Sequence, residues 1–583
     1  MTPGLAYLRW DEDRLLPDQA RDALTGPGAP FQMREENVLG ADMQVFARRP
    51  RSARQMLEFG ADRFGEQPFL IFPDRTYTHR GIHEPVRRMA SALSDRFGIG
   101  PGDRVGIVAA NIPGHAIIAW ATVCLGAVVV ELNGWWTGPE MLRGIGLARP
   151  KLVFGDRRRL ERLPGGSIDV PLVCIEDDFD SLVERGDDRS LPLDQIAEDD
   201  PLCILFTSGT TGRPKGAVLT HRNHVNMMMQ AALQGQVGAI LELASSQGTF
   251  GASGDGPPQT GQQCSIGVSP MFHISGFSVA LIGGSLIGAT IAYPPAGRWD
   301  PEVHMEMTER FRAAAWSIVP TQLWRILEHP RLGEFDLSSL RRIGGGGSTF
   351  QPELWRAVRE KLPQVTRMAT GYGMTETCGA GTHQDGRAAV EHPDAVGAPV
   401  PGYEICVRGP EGEVLPAGEV GEICLRGPSN FSGYWDDPEA TEAALDADRW
   451  YRTRELGRIE RGLLFLEGRG ADLIVRGGEN IYPIEIENRL IEHPAIAEAA
   501  VIGVPDRVLG EEVKAVVVTR PGATVDLPEV QKWVAQELAA FKVPTHLEVR
   551  SELPHNAAGK VLKHLLRSTN PSGKPVAPTL EED

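Results

Sequence analysis

The stretch Leu205-Phe-Thr-Ser-Gly-Thr-Thr-Gly-Arg-Pro-Lys-Gly-Ala-Val218 carries the side chains best suited to chemistry. It holds three glycines, four hydroxyl side chains and Lys215 between two apolar runs. Glycine gives up the most backbone entropy on folding, so three of them within eight residues are there to let the backbone approach something closely. Hydroxyls, free N–H groups and a lysine point charge suit a phosphate chain. The pattern is not Gly-x-x-x-x-Gly-Lys-Ser/Thr, so it is not a Walker A loop. A flexible Ser/Thr/Gly loop is the plain alternative.

The elements that must hold this loop are legible around it. Helical spacing runs from Ser52 to Phe64. A hairpin is predicted over 68–78, a helix to about Leu93, and a buried strand over 105–110. Helices at 113–124 and 137–147 then alternate with strands at 127–132, 151–154 and 170–175, the pattern of a mostly parallel sheet with helices packed on it. The loop follows, then a helix from His221 to about Gln234. Residues 235–262 read as a Gly/Pro-rich surface insert. Strands near 265–270 and 316–319 follow, then Arg342-Ile-Gly-Gly-Gly-Gly-Ser-Thr349 as a strand running into four glycines and Thr370-Gly-Tyr-Gly-Met-Thr-Glu376 as a second strand-to-glycine turn. The apolar stretch 278–292 reads as helix plus strand. Residues 395–470 change to short alternating runs between turns, a small β subdomain. Residues 472–566 read β, α, β, β, α, a second, compact α+β domain. The expected domains are a lead-in over 1–50, a main domain over 51–470, a smaller one over 471–566 and a frayed tail over 567–583. The fold class is therefore α/β: a large, multi-subdomain N-terminal domain of parallel sheets with helices plus a small β subdomain, and a small α+β C-terminal domain.

Composition narrows the function. The chain has 583 residues and a formal charge of −18, from 59 basic and 77 acidic side chains. Such a surface repels nucleic acid and anionic membrane, so any anionic ligand must be held by a local cluster of donors. The longest apolar run, Ala116 to Val130, is too short for a membrane span and reads as a buried helix breaking at Gly126 into a strand. Seven scattered cysteines without metal spacing indicate reduced thiols and a cytoplasmic setting. Met1 to Asp11 has no apolar signal core.

Five motifs, in order, carry a resemblance that covers about residues 50–566. They are Phe206–Gly216, Gly371-Tyr-Gly-Met-Thr-Glu376, Arg476-Gly-Gly-Glu-Asn-Ile-Tyr-Pro483, Val501-Ile-Gly-Val-Pro-Asp506 and Asn556-Ala-Ala-Gly-Lys560. Together they resemble the adenylate-forming (ANL) superfamily, and within it the acyl-CoA synthetase and fatty-acid–CoA ligase type. The resemblance implies ATP-dependent conversion of a hydrophobic carboxylic acid to acyl-AMP and pyrophosphate, then thioester formation with CoA, and the small glycines at 344–347 suggest room for a long or bulky acid. ATP, Mg²⁺ and CoA are the implied cofactors. A homodimer is left open.

Site residues follow by the same resemblance. Thr207, Ser208, Gly209, Thr210, Thr211, Gly212 and Lys215 suit the β- and γ-phosphates. Gly346, Gly347, Ser348 and Thr349 match the backbone lying along adenine, with Gly371, Tyr372, Gly373 and Met374 in the second nucleotide motif. Thr375 is implied at the α-phosphate and Glu376 at Mg²⁺, a cation that prefers hard oxygen ligands. A solvated turn carboxylate is the alternative for Glu376, and a core aromatic for Tyr372. A lone histidine is more often structural than catalytic, but the resemblance puts His273 between the acyl carboxylate and the phosphate loop. Phe277, Trp316 and Gly345 are candidates for the acyl pocket wall. Lys560 would neutralise the oxygen bridging acyl group and phosphate, and Gly477, Gly478 and Glu479 would line the pantetheine tunnel after a rotation of the C-terminal domain.

The chain departs from the pattern at four places. Thr453-Arg454-Glu455 stands where Thr-Gly-Asp is common, so Glu455, with Arg469, must grip the ribose. Ala471 stands at the hinge, where Asp or Lys is usual, and Glu131 replaces a proline. These changes spare the phosphate loop and Lys560 and fall on the ribose grip and the hinge. Two readings follow: an ordinary acyl-CoA ligase that tolerates them, or an enzyme that makes acyl-AMP and passes it to a partner ligase or carrier protein. A non-catalytic nucleotide-binding relative is the reading from another class.

Overall fold

The computed structural model describes residues 16–163, 169–189, 196–208, 214–244, 264–345, 350, 352–469, 472–476, 479–506, 509–538, 540–555 and 561–567. The expected alternation is present. Among the described residues one sheet runs, in spatial order, Gly433–Tyr434, Pro214–Thr220, Pro201–Ser208, Val128–Glu131, Arg104–Val108, Leu152–Gly155 and Leu172–Cys174. Its pairs from Pro201–Ser208 onward are parallel. The interiors of these strands are runs of buried apolar residues, as parallel strands covered on both faces require. The helix Pro113–Cys124 is buried along nearly its whole length, ends before Gly126 at φ +69, and lets the chain enter Val128–Glu131.

A second sheet, also mixed, runs from Ala398–Pro399 through Thr382–Asp385, Arg367–Thr370, Arg342–Gly345, Ala315–Ser317, Cys264–Ile266 and Thr290–Ala292 to the hairpin Pro68–Ile71 and Thr76–Thr78. The helix His221–Ala244 packs near both sheets, and Val225, Met228 and Leu233 are fully buried. It runs ten residues past the expected end at Gln234. Gly235 and Gly238 read as breakers, but Val237 is buried and a side chain at 238 would collide with the Arg367 guanidinium, which is paired with Asp385. Packing overrode local propensity there. Residues 245–262 of the expected insert lie outside the described residues.

The small β subdomain is an antiparallel sheet of Glu404–Arg408, Gly421–Arg426, Tyr451–Glu460 and Leu463–Arg469. The C-terminal domain has the expected elements and two more strands. Ile474–Arg476 and Glu479–Ile481 form a hairpin, and His546–Arg550 adds in parallel to Gly510–Thr519. The lead-in has structure that composition did not suggest: a helix Leu16–Thr25 and a hairpin Met33–Val38 with Ala41–Phe46. It is tied down by Arg49, whose side chain is buried and pairs with Glu36 at 2.6 Å and Glu198 at 2.8 Å.

Candidate active site

The loop's two strands pair antiparallel, with Thr207 opposite Lys215 and Ser208 opposite Pro214. Gly209, Thr210, Thr211 and Gly212 lie outside the described residues, and Ser208, Arg469 and Glu479 are described by their backbone only. What surrounds the mouth is well defined. The segment Phe431–Trp435 runs along it, with Ser432 N–H donating to Val218 O at 3.0 Å and Trp435 N–H to Gly216 O at 2.7 Å. The same segment reaches the second glycine turn, where Phe431 N–H donates to Glu376 O at 2.7 Å.

Glu376 sits in a single helical turn, Thr375–Thr377, closed by Cys378 at φ +55. Its side chain is buried, and Tyr434 Oη–H donates to Oε1 at 2.8 Å. Burial pushes the carboxyl above its ordinary range; the Tyr434 and Thr207 hydroxyls pull it back in part, and the nearby Glu455 charge adds to the rise. Lys215 Nζ stands 5.1 Å from the centre of the Tyr434 ring, close enough for a cation–π contact. Thr207, Lys215, Thr375, Glu376 and Tyr434 therefore converge from three separate segments. A buried carboxylate with hydroxyl donors, and with no paired cation among the described residues, beside a phosphate-type loop fits a hard divalent ion whose other ligands are phosphate oxygens.

Tyr372 is 7% exposed and belongs to the main core; its N–H donates to Thr382 Oγ1 at 3.0 Å. A Cβ at Gly371 would stand 2.6 Å from Thr382 O, and one at Gly373 would stand 2.5 Å from Gly379 O. These two glycines are demanded by the chain's own doubling back. Gly345 is explained the same way, because a side chain there would strike Ile318 O. Gly346, Gly347, Ser348 and Thr349 lie outside the described residues.

His273 opens a wide π-helical turn, Ser275–Ile282, a form common at functional sites. Its Nδ1 faces Ser275 Oγ at 3.0 Å and accepts from Ser275 N–H at 3.5 Å, which leaves the proton on Nε2. Burial lowers the imidazole below its ordinary value, so a neutral ring with an Nε2–H donor results. Asn111 holds the turn in place: its Nδ2–H donates to Ser269 O at 2.9 Å and its Oδ1 accepts from Met271 N–H at 2.9 Å. Phe277 is fully buried beside His224. Trp316 is committed to a different core, where its indole N–H donates to Thr308 Oγ1 at 2.9 Å.

The departures now have structural counterparts. Glu455 and Arg469 are direct cross-strand partners, so the two ribose candidates stand side by side. Arg454 adopts φ +59, the left-handed conformation that favours glycine. It is held there by its N–H donating to Glu422 Oε1 at 3.1 Å, beside Thr453 Oγ1–H donating to Ile423 O at 2.8 Å. Glu131 is fully buried and both of its oxygens lie 3.0 Å from His115 Nε2, while His115 Nδ1 lies 3.1 Å from Ala110 O. Both ring nitrogens face oxygen, and the carboxylate holds this imidazole above its ordinary value against the effect of burial. The residue in place of a proline is one half of a buried ion pair next to the loop's own strand, in register with Leu205. Ala471, Gly477, Gly478 and Lys560 lie outside the described residues; the bridge His555 to Val561 brackets the segment carrying Lys560.

A profile of the AMP-binding enzyme family matches residues 57–435, and one of the AMP-binding enzyme C-terminal domain matches residues 485–560. The chain belongs to the AMP-binding enzyme family. Within that family it is 33% identical to an indoleacetate–CoA ligase of Aromatoleum aromaticum over 509 residues, 85% of this chain and 94% of that one. The fold is similar to ATP-bound MatB from Rhodopseudomonas palustris, with TM-score 0.76 and 29% identity over 88% of this chain and 98% of that one. It is also similar to o-succinylbenzoate CoA synthetase from Bacillus subtilis with its acyl-adenylate intermediate, with TM-score 0.73 and 27% identity over 90% and 99%.

The sequence did not single out Tyr434, Asn111 or His115. Tyr434 lies between a glycine and a tryptophan in no recognisable motif, and its pairing beside the loop strand brings it to Glu376.

Proposed function

We propose that this chain is an AMP-forming acid–thiol ligase, an acyl-CoA synthetase, acting on a hydrophobic, bulky carboxylic acid. The observation that carries the reading is Glu376, buried and joined to the phosphate-loop mouth through Tyr434 and Thr207. In the first half-reaction a carboxylate oxygen attacks the α-phosphorus of ATP, the bond to pyrophosphate breaks, and acyl-AMP forms. Two anions must meet, so the work is positioning and charge neutralisation. Lys215, Thr207 and the loop donors at 208–212 hold the β- and γ-phosphates. Thr375 contacts the α-phosphate, and the His273 Nε2–H orients the incoming carboxylate. Mg²⁺, when bound, neutralises phosphate charge, and Glu376 would hold it. Lys560 covers the oxygen that bridges acyl carbon and phosphorus. In the second half-reaction the CoA thiolate attacks the acyl carbon and AMP leaves, with residues 477–479 along the pantetheine path.

Phe277, His273 and Gly345 carry the acyl-pocket reading, with Trp316 as core behind the wall. Adenine lies against 346–349 and 371–374, and the Glu455–Arg469 pair grips the ribose. A second reading rests on the positive-φ Arg454 at that grip together with Ala471: adenylation is retained and acyl-AMP passes to a partner ligase or carrier protein. Incubating the full chain with Mg-ATP, CoA and a panel of aliphatic, aromatic and polycyclic acids separates the two. Acyl-CoA as the main product is the expected result. Accumulated acyl-AMP with little acyl-CoA selects the second reading, and no pyrophosphate release with any acid overturns both.

A further inference from the structure

Cys406 and Cys424 are direct cross-strand partners in the small β subdomain. Directly opposed residues of an antiparallel pair have Cα atoms about 4.5–5.5 Å apart, inside the span a disulfide bridges. Both thiols are on the same face of the sheet as Arg408 and Glu422, whereas Ile423 and Leu425 turn to the main core. Cys406 is 9% exposed and Cys424 is fully buried, with the Cys424 Sγ–H donating to Glu422 O at 3.8 Å. The Arg408 guanidinium adjoins Cys406; its Nε is buried and has no hydrogen-bond partner among the described residues. A positive group of that kind stabilises a thiolate. Cys424 and Arg408 together draw Cys406 down to about 7, while burial and the neighbouring sulfur push Cys424 up. Cys124, Cys203, Cys264 and Cys378 are buried as well, so exposure does not set the pair apart; the cross-strand pairing does, for Cys174 faces Gly155, Cys264 faces Thr290, and Cys203 faces Val129 and Leu219.

We infer that Cys406 and Cys424 form an oxidative modification site, with Cys406 attacked by a hydroperoxide and Cys424 as the resolving thiol. The Cys406 thiolate attacks one oxygen of the hydroperoxide, the O–O bond breaks, and Cys406 becomes a sulfenic acid as an alcohol or water leaves. The Cys424 sulfur then attacks the Cys406 sulfur, its proton joins the departing hydroxyl, and water and a disulfide result. Two thiols are oxidised and one peroxide is reduced. The bond would tie together two strands beside Ile423, whose carbonyl anchors Thr453 in the strand that carries Arg454 and Glu455.

The test uses the reduced full-length chain, a small excess of hydrogen peroxide, alkylation of the remaining thiols, and peptide mass spectrometry. The expected product is one cross-linked peptide pair, Cys406 to Cys424, with two of the seven thiols lost and restored by dithiothreitol. In Cys424→Ser the sulfenic acid at Cys406 is trapped by dimedone. In Cys406→Ser, Cys424 stays a thiol. Oxidation led by Cys174, or a Cys406 that survives unmodified in both the parent and the Cys424→Ser chain, overturns the inference. The thermal unfolding temperature of each reduced variant, matched to the parent, separates loss of chemistry from loss of fold.

Discussion

Replacing Glu376 with glutamine tests whether the buried carboxylate is held for a cation at the expense of stability. Glutamine keeps the shape, and its amide oxygen keeps the 2.8 Å bond from Tyr434. It removes a charge enclosed by protein and raised by burial. A buried charged group that is incompletely compensated costs about 1–3 kcal/mol, so the variant should gain about that much at pH 8. At roughly 2 °C per kcal/mol for a large domain, the unfolding temperature should rise by about 2–5 °C. The pH dependence gives the sign. The folded-state value of Glu376 is raised, so its contribution to stability is present at low pH and is lost as pH climbs through that raised value. The advantage of the variant should therefore be small near pH 5 and largest at pH 8. Thermal unfolding at both pH values, with and without Mg-ATP, is the assay. Mg-ATP should raise the transition of the parent protein and hardly move that of the variant, whose pyrophosphate exchange should fall on the order of 10²–10³-fold. A variant less stable than the parent at pH 8, or offset equally at both pH values, would refute the reasoning.

Arg454→Gly should stabilise the fold. The left-handed φ of +59 costs an arginine about 1–2 kcal/mol, offset in part by the roughly 0.5–1 kcal/mol of backbone entropy that glycine loses, and Arg454→Ala should show no such gain in chemical denaturation. Glu131→Gln should destabilise by about 3 kcal/mol, read as a lower denaturant midpoint, because it breaks a fully buried pair and His115, without the carboxylate that holds its proton, is left as a neutral ring. Lys560→Ala should abolish acid-dependent pyrophosphate exchange while ATP still binds, measured by nucleotide fluorescence displacement. Tyr434→Phe should weaken Mg-ATP binding several-fold with little change in the KM for the acid, since it removes one donor from Glu376 and nothing from His273.

The sequence by itself determined the motifs, their order and most of the element pattern. Glycine, hydroxyl and lysine at 207–216 announce a phosphate site because backbone access and donor chemistry are local properties. The break at Gly126 and the alternation of helix and strand were legible for the same reason, since periodicity and turn chemistry act over a few residues. The helix that runs on to Ala244 and the hairpin in the lead-in were not, because packing against distant partners such as Arg367 decides them. The tertiary structure decided which residues meet. Tyr434 reaches Glu376 from 58 positions away, Glu131 finds His115 across a strand and a helix, and Glu455 stands opposite Arg469. It also decided what glycine is for at 345 and 371, and what burial does to a carboxylate. Side-chain chemistry is written in the chain, but the desolvation and proximity that tune it arise only when remote segments pack together.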